Sequence, residues 1–265
     1  MKAIEKLKNA VKAKKSLVCV GLDPDLKKTP GFLGDGIRTL LNFNKAIIDA
    51  TKDIAAAYKL NFAFYEQYGI EGIEVLKETF DYIPDDIFTI ADAKRGDIGN
   101  TSLAYAVSVF DYFGADSITL SPYMGSDSIE PFLKYENKMA FLLCVTSNKG
   151  SHDFQRLDTG GKPLYQRVIE ESSKWAGADR MGYVSGATHP EELAAVRKAA
   201  PDNVLLIPGI GAQGGELREV MRANAGGPAL INSSRGIIYA SSGPDFDEKA
   251  AYNCKIIRDS INEAL

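Results

Sequence analysis

The stretch IFTIADAKRGDIGNTS, residues 87–102, joins an apolar, β-branched run to a polar segment that places Asp92, Lys94 and Asp97 within six residues. The apolar run predicts a buried strand, and the charges and glycines behind it predict the loop in which that strand ends. Residues two apart on a strand share one face, so Asp92 and Lys94 point the same way if the alanines beside them face the covering helices. Asp97 falls in the loop itself.

Seven further apolar runs of strand length recur along the chain and alternate with helical patterns. With residues 87–94 they make eight candidate strands: LVCVGLD (17–23), IAAAYKLN (54–61), ADSITLS (115–121), MAFLLCVTS (139–147), RMGYVSG (180–186), NVLLIPG (203–209) and PALINSS (228–234). Eight helical candidates lie between and after them. The candidate at residues 189–200 has a capping-box pattern, in which Thr188 precedes Glu191 by three residues.

The order of these elements predicts the architecture. Strands that are apolar almost throughout, each followed by a helix, indicate a parallel sheet covered by helices. Eight such units favour a closed (β/α)8 TIM barrel, with an open doubly wound sheet as the alternative. The 265 residues suit one α/β domain spanning 1–265, in which residues 1–16 form an N-terminal helix that caps the barrel.

Composition and charge narrow the class of protein. The chain is 45% hydrophobic and 25% charged, with a net charge of −4 and no long basic block, so we expect no nucleic-acid partner. No apolar run approaches the ~18 residues of a membrane span, so we expect no membrane partner. Three widely spaced cysteines in apolar surroundings indicate reduced thiols in a cytoplasm, and two distant histidines do not suggest a metal site.

Polar residues also appear at the same level of other predicted strands: Asp23, Ser147 and Arg235 end their strands, and Lys59 lies inside an otherwise apolar one. In a barrel these ends meet at the carboxyl face, where barrel enzymes hold their chemistry. Lys59 is the strongest indication of a functional site, because a lysine is almost never buried unless it is paired or functional. A salt bridge that satisfies a strand end is the simpler interpretation of Asp92 and Lys94 alone, whereas the wider set predicts an array of alternating charges that keeps both lysines protonated.

A glycine-rich segment follows the seventh predicted strand, with four glycines in the seven residues from Gly209 to Gly215. A glycine-rich turn that leads into a helix beside the eighth strand matches the place where barrels bind phosphate, although plain loop geometry is an equal alternative. Arg235 adds a bidentate donor suited to a phosphate dianion. The same glycines would let the loop act as a lid.

The segment DAKRGDIGNT, residues 92–101, resembles the Asp-x-Lys-x-x-Asp signature of the orotidine 5′-monophosphate decarboxylase family. Seven other motifs follow in the order of that family, in its longer bacterial branch: GLDPDL, AAYKLNFAFYE, SPYMG, VTSNKGS, GYVSGAT, PGIGAQGG and NSSRGIIYA. The resemblance therefore covers nearly the whole chain. The first signature alone is shared with sugar-phosphate decarboxylases and aldol-type synthases of the same superfamily.

The resemblance implies a reaction, catalytic residues and an assembly. The reaction would be decarboxylation of orotidine 5′-monophosphate to uridine 5′-monophosphate in pyrimidine biosynthesis, with no cofactor and no metal. Lys94 would be the proton donor, within a charge network formed with Asp92, Asp97 and Lys59. Asp97, with Thr101 behind it, would come from the partner subunit of a homodimer whose active sites are shared.

The resemblance also implies how the nucleotide is bound. Asp23 and Lys59 would face the ribose, and Ser147 would face the pyrimidine edge. Gln213 and Arg235 would bind the phosphate. These positions spread the substrate contacts over the ends of at least four predicted strands.

Three other functions remain alternatives. A metal-dependent sugar-phosphate lyase or synthase would use Asp92 with Mg²⁺, and chelation would abolish its activity. A Schiff-base aldolase would use Lys59 or Lys94, and borohydride would trap it with substrate. A catalytically silent phosphate-binding protein would bind ligand without turnover.

Overall fold

Eight parallel strands form the centre of the protein in a computed structural model that describes residues 1–209 and 214–265. They close in chain order into a barrel: β1 Val18–Gly21, β2 Ala57–Asn61, β3 Phe88–Arg95, β4 Ser117–Leu120, β5 Met139–Val145, β6 Met181–Ser185, β7 Leu205–Pro208 and β8 Ala229–Ser233. Strand β1 pairs with both β2 and β8. The predicted (β/α)8 TIM barrel is therefore confirmed, and the open-sheet alternative is wrong.

Helices cover the barrel. Within the described residues they are α1 Ala3–Lys14, α2 Arg38–Thr51, α3 Ala63–Glu66, α4 Gly69–Tyr82, α5 Gly99–Val107, α6 Ser126–Leu133, α7 Leu164–Ser172, α8 Pro190–Ala199, α9 Gly214–Asn224, α10 Arg235–Ile238 and α11 Phe246–Ala264. Helix α1 precedes the first strand, and α3 and α10 are single turns directly behind β2 and β8. The other eight alternate with the strands, as the helical patterns predict.

Alternate residues of each strand point outward and join the helices in one large core. Tyr58 and Leu60 of β2, for example, share this core with Leu40, Phe43 and Ile47 of α2. The three α2 residues are spaced three to four apart, so they form one apolar stripe on the helix. The strands read as continuous apolar runs because both of their faces are buried.

The inward residues fill the interior of the barrel toward its amino-terminal end. Phe88, Ile90, Phe141 and Leu206 belong to this second core, and each is at most 1% exposed. Gly182 of β6 makes room for the Phe141 ring, because a Cβ there would lie 2.6 Å from a ring carbon and 2.5 Å from a backbone oxygen. The barrel is therefore a packed core at this level, not a pore.

Helix α1 lies across the amino-terminal ends of the strands. Its Ile4 and Leu7 join the inner core. The Lys6 ammonium lies 2.8 Å from Asp116, just before β4, and the Ala3 N–H donates to the Asn137 carbonyl just before β5. These contacts close this end of the barrel, whereas the assignment of residues 1–265 to one domain stays a prediction.

The predicted capping box at helix α8 is wrong. The helix begins at Pro190 with His189 as its N-cap, and no side chain caps its first turn. Thr188 lies one residue too early to serve as N-cap. Proline suits the first helical position because its ring fixes φ and it has no N–H that needs a partner. Glu191 and Glu192 lie in the first turn, where negative charge is favourable.

Two further features bear on where the protein works. No helix within the described ranges combines the length and apolar character that a membrane crossing requires. Cys19, Cys144 and Cys254 are all free and buried. The cytoplasmic location stays a prediction.

Candidate active site

A cavity of about 300 Å³ opens at the carboxyl ends of the strands. Its charged lining is Asp23, Lys59, Asp92 and Lys94, and its neutral polar lining is Thr119, Thr146 and Asn232. Leu143, Val184, Leu206 and Pro208, from β5, β6 and β7, form an apolar side. The cavity thus has one charged side, which follows β1 to β3, and one apolar side opposite.

The four charged side chains form one connected array. The Lys59 ammonium donates to Asp92 Oδ2 at 2.7 Å and lies 3.7 Å from Asp23 Oδ1. The Lys94 ammonium donates to Asp92 Oδ1 at 2.6 Å. Asp92 therefore accepts one lysine on each carboxylate oxygen, and the charges alternate along the array. The structure thus brings together four of the residues that the sequence analysis singled out, and their catalytic roles stay predictions.

Exposure differs sharply along this array. The side chains of Lys59 and Asp92 are 6% and 8% exposed, whereas that of Lys94 is 48% exposed. Burial alone would lower the pKa of Lys59, but the Asp23 and Asp92 carboxylates outweigh burial and raise that pKa above its usual value. Lys59 thus stays protonated, and the open end of the array is the Lys94 ammonium.

The Asp92 carboxyl is held ionised in the same way. Burial would raise its pKa, but Lys59 and Lys94, by charge and by hydrogen bonding, hold the pKa well below its usual range. Asp23 sits at the other end, where its Oδ1 also accepts the N–H of Asn61 at 3.2 Å. Two carboxylates and two lysines therefore lie together without an unpaired buried charge.

Strand β3 does not place Lys94 by regular alternation. Ala91 pairs with Ile118 and Arg95 pairs with Leu120, so β3 carries extra residues between these two pairs. Lys94 has a backbone φ of 48°, in the left-handed region that residues other than glycine rarely adopt. The contact between Asp92 and Lys94 was expected from their spacing of two residues, but a bulge in the strand produces it.

Two of the predicted site residues lie away from the cavity of their own chain. Asp97 is half-buried, and its Oδ1 accepts the N–H of Ile98 at 2.8 Å. Thr101 is exposed in the first turn of α5. Neither side chain lines the cavity.

The other predicted substrate-binding residues lie around the rim. Ser147 is exposed directly behind β5, and its Oγ would be 2.3 Å from a Cβ at Gly186, so the loops after β5 and β6 touch here. Arg235 is exposed at the first position of α10. Gln213, together with most of the predicted lid of residues 209–215, lies outside the described residues.

Sequence reasoning missed Thr119 and Asn232. Thr119 is 1% exposed, and its hydroxyl bonds to Asp92 and to the backbone of Lys94. A threonine in a strand gives no signal, because β-branched residues are common there. Asn232 is 5% exposed, and its Oδ1 has no hydrogen-bond partner in the described part of the chain. Asn232 could have been found from the sequence, because it is a polar residue in an apolar strand, as Lys59 is.

The side chains of the described residues also show whether a metal-binding cluster is present. Among residues 1–209 and 214–265, no group of three or more histidine, cysteine, aspartate or glutamate side chains is arranged to hold a metal ion. Asp23 and Asp92 face ammonium groups instead. The arrangement suits chemistry in which a fixed ammonium stabilises a developing anion or donates a proton.

Comparison with known proteins shows which family the chain belongs to. It matches the family model described as Orotidine 5′-phosphate decarboxylase / HUMPS family over residues 16–245. A protein of Flavobacterium johnsoniae named Orotidine 5′-phosphate decarboxylase is 50% identical over 98% of this chain and 97% of its own length. A protein of Dehalococcoides mccartyi with the same name is 50% identical over 99% of this chain and 98% of its own length.

Solved structures agree with this placement. The structure of Leishmania donovani OMP decarboxylase is similar to this one with a TM-score of 0.87 and 40% sequence identity. The match covers 100% of this chain and 98% of that chain. Sequence and structure agree over nearly the full length, and the chain belongs to the orotidine 5′-phosphate decarboxylase / HUMPS family.

Proposed function

We propose that the chain decarboxylates orotidine 5′-monophosphate to uridine 5′-monophosphate, a step of pyrimidine biosynthesis, without a cofactor or a metal. The observation that carries the proposal is the alternating array of two lysines and two aspartates in one cavity at the carboxyl end of the barrel. The name shared by the relatives supports this substrate. The array carries two positive and two negative groups, so it offers a phosphate dianion no excess of positive charge.

The chemistry needs a positive charge beside C6 of the pyrimidine. Loss of CO2 breaks the bond from C6 to the carboxyl carbon and leaves both electrons on C6, in the plane of the ring. The π system cannot take up an in-plane pair, so stabilisation must be electrostatic. The Lys94 ammonium supplies that charge and transfers a proton from Nζ to C6. The neutral amine that results is reprotonated by solvent, to which the half-exposed Lys94 has access.

The rest of the array holds this ammonium in place. Asp92 binds Lys94 on one carboxylate oxygen and Lys59 on the other, so the position of Lys94 is fixed from a buried anchor. The substrate carboxylate would lie near Asp92 and leave as CO2. The apolar side formed by Leu143, Val184 and Leu206 excludes water, which strengthens every charge interaction in the cavity.

Contacts to the remainder of the nucleotide would orient it. Asp23 and Lys59 lie together on the charged side of the cavity, where they can accept from and donate to ribose hydroxyls. Ser147, exposed above the apolar side, would face the pyrimidine edge. Arg235 and Gln213 would bind the phosphate, and the binding energy gained there can order and desolvate the site.

The active site is proposed to be completed by a second subunit. Asp97 and Thr101 do not line the cavity of their own chain. The same segment exposes apolar side chains, with Ile98 53%, Leu103 42% and Val107 44% exposed. A run of exposed apolar residues is typical of a protein interface. A homodimer formed through this segment would present Asp97 and Thr101 to the cavity of the partner.

The dimer proposal is tested by mixing two inactive variants. Asp97→Ala and Lys94→Ala homodimers should each be deficient, while a mixed dimer rebuilds one native site on the Asp97→Ala subunit. Random reassociation of equal amounts should restore about a quarter of native sites, since about half of the dimers are mixed. Tagged chains would verify subunit exchange. Activity that stays at the sum of the two variants, despite exchange, would show that Asp97 acts within its own chain.

The activity is tested with purified protein and orotidylate in the presence of a chelator. We expect loss of substrate absorbance, with uridylate as product, at the same rate with and without chelator. Loss of activity on chelation would favour the metal-dependent lyase. Trapping by borohydride would favour the Schiff-base aldolase, and binding without turnover would favour a silent binding protein.

A further inference from the structure

The bulge in β3 lies opposite a single residue of β4. Ala91 pairs with Ile118 and Arg95 with Leu120, so residues 92–94 of β3 face only Thr119. A bulge of this kind takes backbone groups out of the ladder between the two strands. The N–H of Lys94 is such a group, because Lys94 adopts a φ of 48° there.

The Thr119 hydroxyl replaces the missing partner. Lys94 N donates to Thr119 Oγ1 at 3.1 Å, and Thr119 Oγ1 donates to Asp92 Oδ1 at 2.9 Å. The direction of both bonds is forced, since a backbone N–H can only donate and an ionised carboxylate can only accept. Thr119 is 1% exposed, so water does not compete for these bonds.

These contacts close a ring around Lys94. Its backbone N–H reaches Asp92 Oδ1 through the Thr119 hydroxyl, and its ammonium reaches the same oxygen directly at 2.6 Å. One buried hydroxyl therefore links the backbone of Lys94 to the carboxylate that binds its own side chain. The backbone and the ammonium of Lys94 are therefore both held to the same atom, Asp92 Oδ1.

We propose that Thr119 is a positioning residue for the reaction: its hydroxyl holds the bulge in β3 and thereby sets where the Lys94 ammonium stands. The inference rests on the proposed role of Lys94 as proton donor. Thr119 itself need not touch the reacting atoms. It acts through Lys94 and Asp92.

The expected loss of activity follows from the two hydrogen bonds that the Thr119 hydroxyl makes. Without it, the Lys94 N–H and Asp92 Oδ1 each lose a buried partner, and the left-handed conformation at Lys94 loses its support. A displacement of about 1 Å at a reacting group can lower the rate about 100-fold. We therefore expect a loss of about this size in kcat, with little change in KM, because the ribose and phosphate contacts lie elsewhere.

The test compares Thr119→Val, which keeps the shape and removes the hydroxyl, with Thr119→Ser, which keeps the hydroxyl. Thr79→Val is a matched control in helix α4. Thr79 is likewise fully buried, donates to the Val75 carbonyl at 2.7 Å and accepts from Asn44 at 3.0 Å. Thr79 does not line the cavity, so a similar loss of stability should leave kcat unchanged.

Two readouts are needed, turnover of orotidylate and hydrogen exchange at the Lys94 amide. We expect Thr119→Val to lower kcat about 100-fold, to change KM by less than about threefold, and to speed Lys94 amide exchange. Thr119→Ser should restore both values to within about fivefold of the native protein. If Thr119→Val melts below the assay temperature, Thr119→Ala takes its place with the same expectations.

Two results would overturn the proposal. The first is a folded Thr119→Val protein with kcat within about threefold of native. The second is a Thr119→Ser protein as impaired as Thr119→Val, which would mean that the hydroxyl is not the operative group. If the native protein does not turn over orotidylate at all, the proposed function fails, and the Lys94 amide exchange alone decides whether Thr119 holds Lys94.

Discussion

At the amino-terminal end of the barrel the inward side chains are apolar and covered by helix α1, whereas at the carboxyl end the same strands carry lysines and aspartates beside an open cavity. A step of two residues along three strands marks the change, from Ala57 to Lys59, from Ile90 to Asp92 and from Leu230 to Asn232. Each pair points to the inside of the barrel, since residues two apart share a face.

The contrast shows how the two ends divide stability and chemistry. Phe141 and Ile90 fill the interior without polar groups, so the lower layer contributes burial alone. The upper layer buries Lys59 and Asp92, whose desolvation is offset by their pairing with each other and with Asp23 and Lys94. Substitutions at the lower end should therefore change the free energy of unfolding, and substitutions at the upper end should change turnover.

The largest expected effect is on turnover, from Lys94→Ala. The variant removes the proposed proton donor and the positive charge proposed to stand at C6, so kcat should fall by at least about 10⁴-fold while the free energy of unfolding stays within about 1 kcal/mol. Steady-state kinetics and urea unfolding provide the two measurements. Lys6→Ala, which removes a lysine paired with Asp116 at the lower end, is the control and should keep native kcat. Near-native turnover by a folded Lys94→Ala protein would mean that Lys94 is not the acid.

The next largest effect is on stability, from Phe141→Ala. Loss of this fully buried ring should lower the free energy of unfolding by about 3 to 5 kcal/mol, because it leaves a cavity in the lower layer. Phe154→Ala is the control, since Phe154 is 61% exposed and should change stability by less than about 1 kcal/mol. Equal losses in urea unfolding would contradict the division between the two ends.

Arg235→Ala should have a smaller effect, confined to the upper end. It should weaken binding of the phosphorylated substrate by about 1.5 to 3 kcal/mol and leave the phosphate-free nucleoside almost unaffected. Phosphite dianion, added to the native protein, should partly rescue decarboxylation of the nucleoside. Titration calorimetry with uridine and its 5′-phosphate gives the comparison, and equal losses for both ligands would place Arg235 away from the phosphate.

The smallest effect concerns pH. The pKa of Asp92 is lowered by folding, so its contribution to stability is present above its unfolded pKa of about 3.9 and is lost as the pH falls through the folded pKa. The pKa of Lys59 is raised, so its contribution is present below its unfolded pKa of about 10.4 and is lost as the pH rises through the folded pKa. Both contributions to the free energy of unfolding are therefore fully present between about pH 3.9 and about pH 10.4.

The difference in unfolding free energy between the native protein and Asp92→Asn should thus vary by less than about 0.5 kcal/mol from about pH 5 to about pH 9. Urea unfolding at several pH values measures it, with Phe141→Ala as a variant without a titrating group. A drift toward the acidic end of that range would show that Asp92 titrates there and is not held by the two lysines, whereas a drift at the alkaline end would show that Lys59 loses its proton once Asp92 is removed.

The sequence predicted the barrel and the charge array because both follow from pattern. Alternating apolar runs and helices predicted eight β/α units, and a lysine inside an apolar strand, such as Lys59, is almost never buried unless it is paired or functional. The bulge at Lys94 could not be predicted, because Ala93 and Lys94 carry no signal for a left-handed backbone and the cause lies in strand β4. Thr119, which supports that bulge, has the composition of an ordinary strand residue.

Residues on the rim were harder to place for a different reason. The positions of Ser147 and Arg235 depend on loop geometry after the strands, which sequence pattern does not fix. Asp97 and Thr101 are proposed to act in the site of a second chain, and no pattern within one sequence fixes what a neighbour contributes. The predicted lid stays a prediction, as does the role of Gln213.

A crystal structure with uridine 5′-monophosphate bound would test the central claim most directly, since it would show which side chain stands at C6. We expect the base in the cavity, with C6 within about 3.5 Å of Lys94 Nζ, and the phosphate on Arg235. Binding of the nucleotide outside this cavity, or with C6 turned toward the apolar side and away from Lys94, would contradict the assignment of Lys94 as the proton donor.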